Sequence, residues 1–300
     1  MSNVNKKVIV ITGTSTGIGY LAALGFAEKG SRVFATMRDP QGKNRSRATS
    51  LEQAGVEVLP LDVTKQAEVD SAVSTVMKKT GRLDVVINNA GIMNIGLTEG
   101  FTIDQLQAQM EVNYLGVARM FRAVLPHMRS RQQGLVVTVS SLAGRLIFPA
   151  FHSYNSSKFA VEALAEGYRY ELSPYGIDSV ILEPGPFKTE LVGNSPRPKD
   201  EAVLRQYGEF AQMPETVING FDAFMTAHAD GDCNPALVVT DLIKLVETPF
   251  GERPMRTVTG IDYGARALNE ATDKFQKGVL EAMELQHLDP NHRSPATTPA

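Results

Sequence analysis

Short runs of Val, Ile and Leu alternate with helix-length stretches along most of this 300-residue chain, and no other feature restricts the fold as strongly. Candidate strands are Val8–Ile11, Arg32–Met37, Val56–Leu59, Leu83–Asn88, Leu135–Ser140 and Ile177–Leu182. Between them a helix runs through Leu21, Leu24 and Phe26 to Gly30, and others are expected at Lys65–Lys79, Ile103–Ser130 and Ser153–Ser173. Asp39-Pro40 predicts one more helix start, with Asp as N-cap and Pro at the first helical position. Thr102 and Gln105 have capping-box spacing. Runs this short and this apolar suit strands buried on both faces, so the alternation predicts an α/β fold with a parallel sheet flanked by helices. The pattern weakens between Phe187 and about Met225, where Pro186, Pro196, Pro198 and Pro214 predict irregular chain. A last helix–strand–helix unit is expected at Pro235–Val246, Met255–Val258 and Tyr263–Leu285, and Asp289–Ala300 reads as a disordered tail.

Composition excludes several function classes. A net charge of −3 supplies no basic field for nucleic acid. Cys233 is the only cysteine and His127, His152, His228, His287 and His292 are scattered, so neither an internal disulfide nor a metal site is expected. A reducing, cytoplasmic setting fits this cysteine usage. The uncharged run Val8–Ala27 has the length of a membrane anchor, but Thr12-Gly13-Thr14-Ser15-Thr16-Gly17 interrupts it. Such a stretch would leave backbone groups unpaired in hydrocarbon, so strand, loop and helix are expected there, with no membrane partner.

Gly13, Gly17 and Gly19 fall between that strand and that helix. Glycine lets a pyrophosphate approach the backbone, and a helix N-terminus offers free N–H groups and a positive dipole end. The spacing G-x-x-x-G-x-G differs from the common dinucleotide fingerprint. Asn88-Asn89-Ala90-Gly91 forms a small polar turn at the end of another strand, where ligands of open α/β sheets bind. Tyr154 and Lys158 stand four apart on a predicted helix and project from one face. A nearby ammonium lowers a phenol's pKa, which would let Tyr154 give or take a proton, and Ser141 ends the preceding strand. Exposed Tyr/Lys pairs on amphipathic helices are common, so the context decides.

Taken in order, Thr12-Gly13-Thr14-Ser15-Thr16-Gly17-Ile18-Gly19, Asn88-Asn89-Ala90-Gly91, Asn113, Ser140-Ser141, Tyr154-Asn155-Ser156-Ser157-Lys158 and Pro184-Gly185 resemble the short-chain dehydrogenase/reductase family over about residues 6–190. The resemblance implies a Rossmann-type doubly wound sheet in a single domain, here residues 1–288, with a substrate lid at about 187–225. It implies that Gly13, Gly17 and Gly19, with Thr14, Ser15, Thr16 and Ile18, hold a pyrophosphate. Asp62 and Val63 would flank the adenine, and Asn89, Ala90 and Gly91 would border the ribose. Pro184, Gly185, Phe187 and Thr189 would meet the nicotinamide end. Tyr154 would be the acid/base and Lys158 its partner on the nicotinamide ribose. Ser141 rather than Ser140 would be the catalytic serine, and Asn113 would hold a relay water. A homodimer or homotetramer through the helices at 103–130 and 153–173 is also implied.

The cofactor reading turns on the end of the second strand. An acidic residue there binds the ribose 2′-OH of NAD, whereas Arg accommodates the 2′-phosphate of NADP. Met37 stands at the acidic position and Arg38 follows, with Lys43, Arg45 and Arg47 nearby, so NADP(H) is preferred. Asp39, shifted by one, keeps NAD(H) open. Met93, Ile95, Leu142, Leu146, Phe148, Phe151, Phe187, Leu191, Phe210, Met213, Phe221 and Phe224 are candidate substrate-side residues, or core. They point to a hydrophobic ketone or alcohol, steroid-like, retinoid-like or aromatic. Met37-Arg38 and Glu183-Pro184-Gly185 are similar to hydroxysteroid and retinol dehydrogenases. The rivals are a non-catalytic nicotinamide-binding redox sensor and a Rossmann-type methyltransferase. Neither gives a reason for the Ser141/Tyr154/Lys158/Asn113 set.

Overall fold

A computed structural model describes residues 6–292. Its seven-stranded sheet consists of β1 (Val8–Thr12), β2 (Arg32–Met37), β3 (Glu57–Pro60), β4 (Val85–Asn88), β5 (Gly134–Val139), β6 (Ile177–Pro184) and β7 (Arg256–Thr259). The strands are all parallel and lie in the order β3-β2-β1-β4-β5-β6-β7. The chain winds outward from β1 to β3, then restarts on the other side of β1 at β4. A crevice opens at that reversal, at the carboxyl ends of the strands.

Neighbouring residues of a strand point to opposite faces, so a sheet covered on both sides needs consecutive apolar residues. Ile9, Ile11, Val33, Ala35 and Ile87 pack against α1 (Gly17–Glu28), α2 (Arg45–Gln53) and α10 (Ala236–Glu247). Val8, Val10, Phe34 and Val86 face α3 (Gln66–Thr80), α5 (Gly116–Arg131) and α6 (His152–Leu172). The fold is the expected Rossmann-type single domain. Among the described residues no helix is long and apolar enough to cross a membrane.

Several expectations hold in detail. Thr102 caps α4 (Ile103–Met110) in a full capping box, Gln105 N donating to Thr102 Oγ1 at 3.3 Å and Thr102 N to Gln105 Oε1 at 3.2 Å. The helix expected at 103–130 is continuous but carries one widened π turn, Glu111–Leu115, before α5.

Other expectations are corrected. Asp39 does not cap a helix: its φ is 45°, its carboxylate accepts Gly42 N and Lys43 N within a turn, and α2 starts only at Arg45. Residues 187–225 are largely helical rather than irregular, with α7 (Glu190–Gly193), α8 (Glu201–Gln206) and α9 (Met213–Ala227). Pro214 lies in the first turn of α9, where a missing N–H costs nothing, so that proline marks a helix start. The expected tail is ordered at its beginning. Pro290 is buried in a 3₁₀ turn and Asn291 Oδ1 accepts from the buried Arg169 Nη2 at 2.8 Å. The rest of that tail, 293–300, lies outside the described residues. The last helix, α11 (Ala265–Ala282), packs beside β7.

Candidate active site

A cleft of about 640 Å³ opens along the carboxyl ends of the strands. At one end its wall is backbone. Gly13 has φ 70°, and a Cβ there would come within 2.6 Å of Ala90 Cα. A Cβ on Gly19 would run into Asn89 Nδ2 and stand 2.5 Å from Gly13 O. Asn89 is the brace that explains this crowding: its Nδ2 donates to Thr12 O and Gly13 O at 2.9 and 3.0 Å. The Asn89 and Ala90 amides both donate to Thr12 Oγ1 at 3.0 Å. The glycine turn is therefore shaped to receive the end of β4 as well as a ligand.

Ser15, Thr16, Gly17 and Ile18 line the cleft at the start of α1. Thr16, the N-cap, makes no side-chain capping bond, and no acidic residue occupies the first turn. The leading amides and the positive end of the helix are thus available to an anion, which fits a pyrophosphate. Arg38, Asp62 and Val63 line the same end, as do Asn89, Ala90 and Gly91. Lys43 and Asn44 join them, and Asn44 Nδ2 donates to Arg38 O at 2.6 Å. Burial acts to raise the Asp62 carboxyl, but hydrogen bonds from Thr64 outweigh it and hold Asp62 below its ordinary value. Pro184, Gly185, Phe187 and Thr189 line the cleft as well. Thr14 does not line it: its N and Oγ1 both turn to Thr36 O at 3.1 Å. Gly19 is likewise behind the wall.

The candidate reactive groups Ser141, Tyr154 and Lys158 line the cleft together. Ser140 and Ser141 follow β5 and diverge. Ser140 Oγ donates to Glu162 Oε1 at 2.7 Å, whereas Ser141 Oγ accepts Ala143 N at 3.1 Å and lies close enough to Tyr154 to act on its phenol. Local geometry thus separates two adjacent serines that sequence distance alone distinguished. Tyr154 and Lys158 are each only 6% exposed, with Lys158 Nζ 5.6 Å from the Tyr154 ring centre and donating to Val139 O at 2.9 Å. Burial pushes the Tyr154 phenol up to about 12 against the pull of Ser141. Burial also brings Lys158 down to about 8, with the Glu162 charge opposing. The expected lowering of the phenol by the lysine is therefore overturned: burial raises it, and the opposing pull comes from Ser141.

Asn113 does not line the cleft but sits just behind it, in the π turn. Its Oδ1 accepts Ile92 N and its Nδ2 donates to Ile92 O and Ser157 Oγ, each at 2.9 Å. A Cβ on Gly91 would stand 3.5 Å from Asn113 Oδ1 and 3.9 Å from Lys158 Nζ, so both side chains border the same space beside Gly91.

The other end of the cleft is walled by side chains. Met93, Leu142, Phe148, Phe151, Phe187, Leu191 and Phe221 line it as expected. Ile95 and Met213 pack in the apolar cluster behind, and Leu146 lies outside the lining. Phe210 is 57% exposed beside Tyr207, and Phe224 pairs with His228. Val192, Val217, Met225 and Tyr263 line the cleft without any local sequence signal. Tyr263 arrives from beyond β7 and packs edge-on to Phe148, ring centres 6.0 Å apart.

Residues 7–200 match the family model for short chain dehydrogenase. Oxidoreductase BOA17 of Botryotinia fuckeliana is 37% identical over 283 residues, covering 90% of this chain and 97% of that protein. The 3-ketodihydrosphingosine reductase of Bacteroides thetaiotaomicron is 36% identical over 189 residues, 63% of this chain and 66% of that one. The solved structure of ElxO with NADP bound superimposes with a TM-score of 0.68 at 27% identity, over 87% of this chain and 99% of that one. Fold, cleft and matched sequence agree: the chain belongs to the short-chain dehydrogenase family, oxidoreductases that use a nicotinamide cofactor on carbonyl or alcohol groups.

Proposed function

We propose that this protein interconverts an uncharged, hydrophobic ketone and its secondary alcohol with NADP(H), using Tyr154, Lys158, Ser141 and Asn113. The observation that carries this reading is a buried phenol, with Ser141 beside it, in one cleft with an uncapped helix start and an apolar wall. When bound, the nicotinamide supplies or takes up the hydride. Tyr154 holds its proton at neutral pH and donates it to the carbonyl oxygen as charge develops there. Ser141 hydrogen-bonds the same oxygen, and Lys158 offsets the phenolate that remains. Asn113, which borders the same space beside Gly91 as Lys158, positions the relay that returns a proton to Tyr154. In the oxidative direction the same groups run in reverse.

Three features support NADP over NAD. Arg38 and Lys43 line the cleft beyond β2, and the Asp39 carboxylate already accepts two backbone amides outside the lining. ElxO, a structural relative, has NADP bound. The hydrophobic substrate is supported by Met93, Phe148, Phe151, Leu191, Val217 and Phe221, a wall without a charged side chain. The name of the Bacteroides relative, a reductase of 3-ketodihydrosphingosine, points the same way. Leu115 and Phe159, open to solvent at 37% and 40%, support assembly as a homodimer or homotetramer through α4–α6.

The test is NADPH oxidation with a panel of aldehydes, quinones and ketones, the last including a steroid, a retinoid and a long-chain alkyl ketone. Tyr154→Phe is expected to lower kcat by roughly 10²- to 10⁴-fold. Equal turnover in that variant removes Tyr154 from the reaction. Cofactor binding without turnover of any carbonyl would favour the redox-sensor reading instead.

A further inference from the structure

Behind the serine loop lies a buried polar cluster that the proposed reaction does not use. Glu162 Oε1 accepts from Ser140 Oγ at 2.7 Å, and Glu162 Oε2 accepts from Arg256 Nε at 3.1 Å. Arg256 Nη2 donates to Glu166 Oε2 at 2.6 Å, and its Nε stands 3.3 Å from Glu183 Oε1. On α11, Asn269 Nδ2 donates to Glu183 Oε2 at 2.6 Å, while its Oδ1 accepts from Arg145 Nε at 2.8 Å. Arg145 also reaches Thr272 Oγ1 at 2.7 Å. These bonds form a ring. It leaves the chain at Ser140, passes both carboxyls and α11, and returns at Arg145, just after the 3₁₀ turn Leu142–Gly144 that Ser141 caps. A Cβ on Gly144 would land on Glu162 Oε1 and 2.7 Å from Ser140 Oγ, so the turn lies directly on that carboxylate.

Charge is unbalanced inside the ring. Glu162, Glu166 and Glu183 all face one guanidinium, that of Arg256. Lys158, a helical turn from Glu162, is engaged with Val139 O, and Arg145 is engaged with Asn269 and Thr272. Glu162 and Glu183 are 2% and 0% exposed, and two like charges at that depth do not both ionise readily. Glu183 Oε1 is moreover buried without a well-aligned donor among the described residues. Glu162 Oε2 and Glu183 Oε1 stand at the same Arg256 Nε, 3.1 and 3.3 Å away, so one proton held between the two carboxyls would relieve the repulsion and satisfy that oxygen. Burial, and then the Glu162 charge, pushes Glu183 up to about 8.

We propose that Glu162 and Glu183 share a single proton and act as positioning residues, holding the loop that presents Ser141 to Tyr154 through Ser140 on one side and Asn269–Arg145 on the other. This rests on the reading of Tyr154 and Ser141 as reactive groups. It gives β7 and α11, beyond the residues matched by the family model, a part in the reaction: they supply Arg256 and Asn269. The sign of the pH effect follows. A carboxyl whose folded pKa is raised favours the folded state at low pH and loses that contribution as pH rises through the folded value. Above about 8 the proton leaves, both carboxyls carry charge, and the ring loosens.

The experiment uses the full chain with two readouts. In protein carrying ¹³C-labelled glutamate, infrared difference spectra are expected to show a protonated carboxylic acid at pH 7. That band should fade as pH passes about 8 and be missing in Glu183→Gln. In NADPH-dependent reduction the alkaline fall of kcat carries both Glu183 and Lys158, each near 8, and Glu183→Gln is expected to leave only the Lys158 step, making the fall shallower. Asn269→Ala is expected to lower kcat by roughly 10- to 100-fold with the KM for NADPH within about twofold, as a displaced catalytic group does. Should Asn269→Ala fail to fold, Asn269→Ser supplies the same comparison. Absence of the acid band in the unmodified protein overturns the proposal. So does an unaltered pH profile in Glu183→Gln or an unaltered kcat in the Asn269 variant. If no carbonyl is reduced yet the band titrates near 8, the reductase reading fails while the shared proton stands.

Discussion

The glycine-rich end and the apolar end of the cleft are made of different materials. At the first, the wall around the helix start is main chain, Gly13, Gly17 and the opening turn of α1, pinned by Asn89 to the end of β4, with the side chains of Arg38 and Asp62 farther along. At the second, the walls are the side chains of Phe148, Phe151, Leu191, Phe221 and Tyr263, drawn from widely separated segments. A wall of backbone has no slack, because adding even a methyl group displaces the chain itself. A wall of side chains can change volume while the strands and helices behind it stay put. One end is thus specified by where atoms must be absent, the other by how much apolar volume is present.

Three substitutions test that contrast. The largest effect is expected from Gly13→Ala, which combines a positive φ with a Cβ 2.6 Å from Ala90 Cα. It should cost about 2–5 kcal/mol of stability and abolish NADPH binding, read by thermal melting and cofactor fluorescence. A variant that melts and binds normally would show that the turn has slack after all. Next, Arg38→Ala should weaken NADP binding about tenfold, near the lower end for a charge-assisted hydrogen bond, and leave NAD binding unchanged. Equal losses for both cofactors would place Arg38 in the scaffold rather than beside a 2′-phosphate. The smallest stability effect should come from Phe221→Ala on α9. Because that side chain borders the open cleft, the melting temperature should fall by only a few degrees, equivalent to about 1 kcal/mol. The preferred ketone should become bulkier, as a panel of KM values would show. A collapse in stability would make Phe221 core instead.

Where a site depends on near neighbours in the chain, its chemistry is legible directly. Tyr154 and Lys158 share a face because one helical turn separates them, and the glycine turn follows a strand that cannot be anything but buried. Asp39 shows the limit of local signals. A carboxylate that accepts amides three and four residues ahead looks the same at a helix N-cap as in a tight turn. Only the positive φ of Asp39, which sends the chain through a turn before α2, separates the two. Pro214 shows the reverse ambiguity, since a residue that breaks a helix interior is well suited to its first turn.

The residues by themselves determined the parallel sheet, the anion-ready helix start and the Tyr154–Lys158 pair, since strand and helix periodicities act over a few positions. Tertiary structure alone decided that Ser140 turns to Glu162 while Ser141 turns to Tyr154. It also decided that Tyr263 closes the apolar wall and that Arg256 and Asn269 meet the carboxyls behind the serine loop. Those contacts join residues far apart in the chain, and their partners are set by how strands and helices stack. No local pattern encodes that stacking.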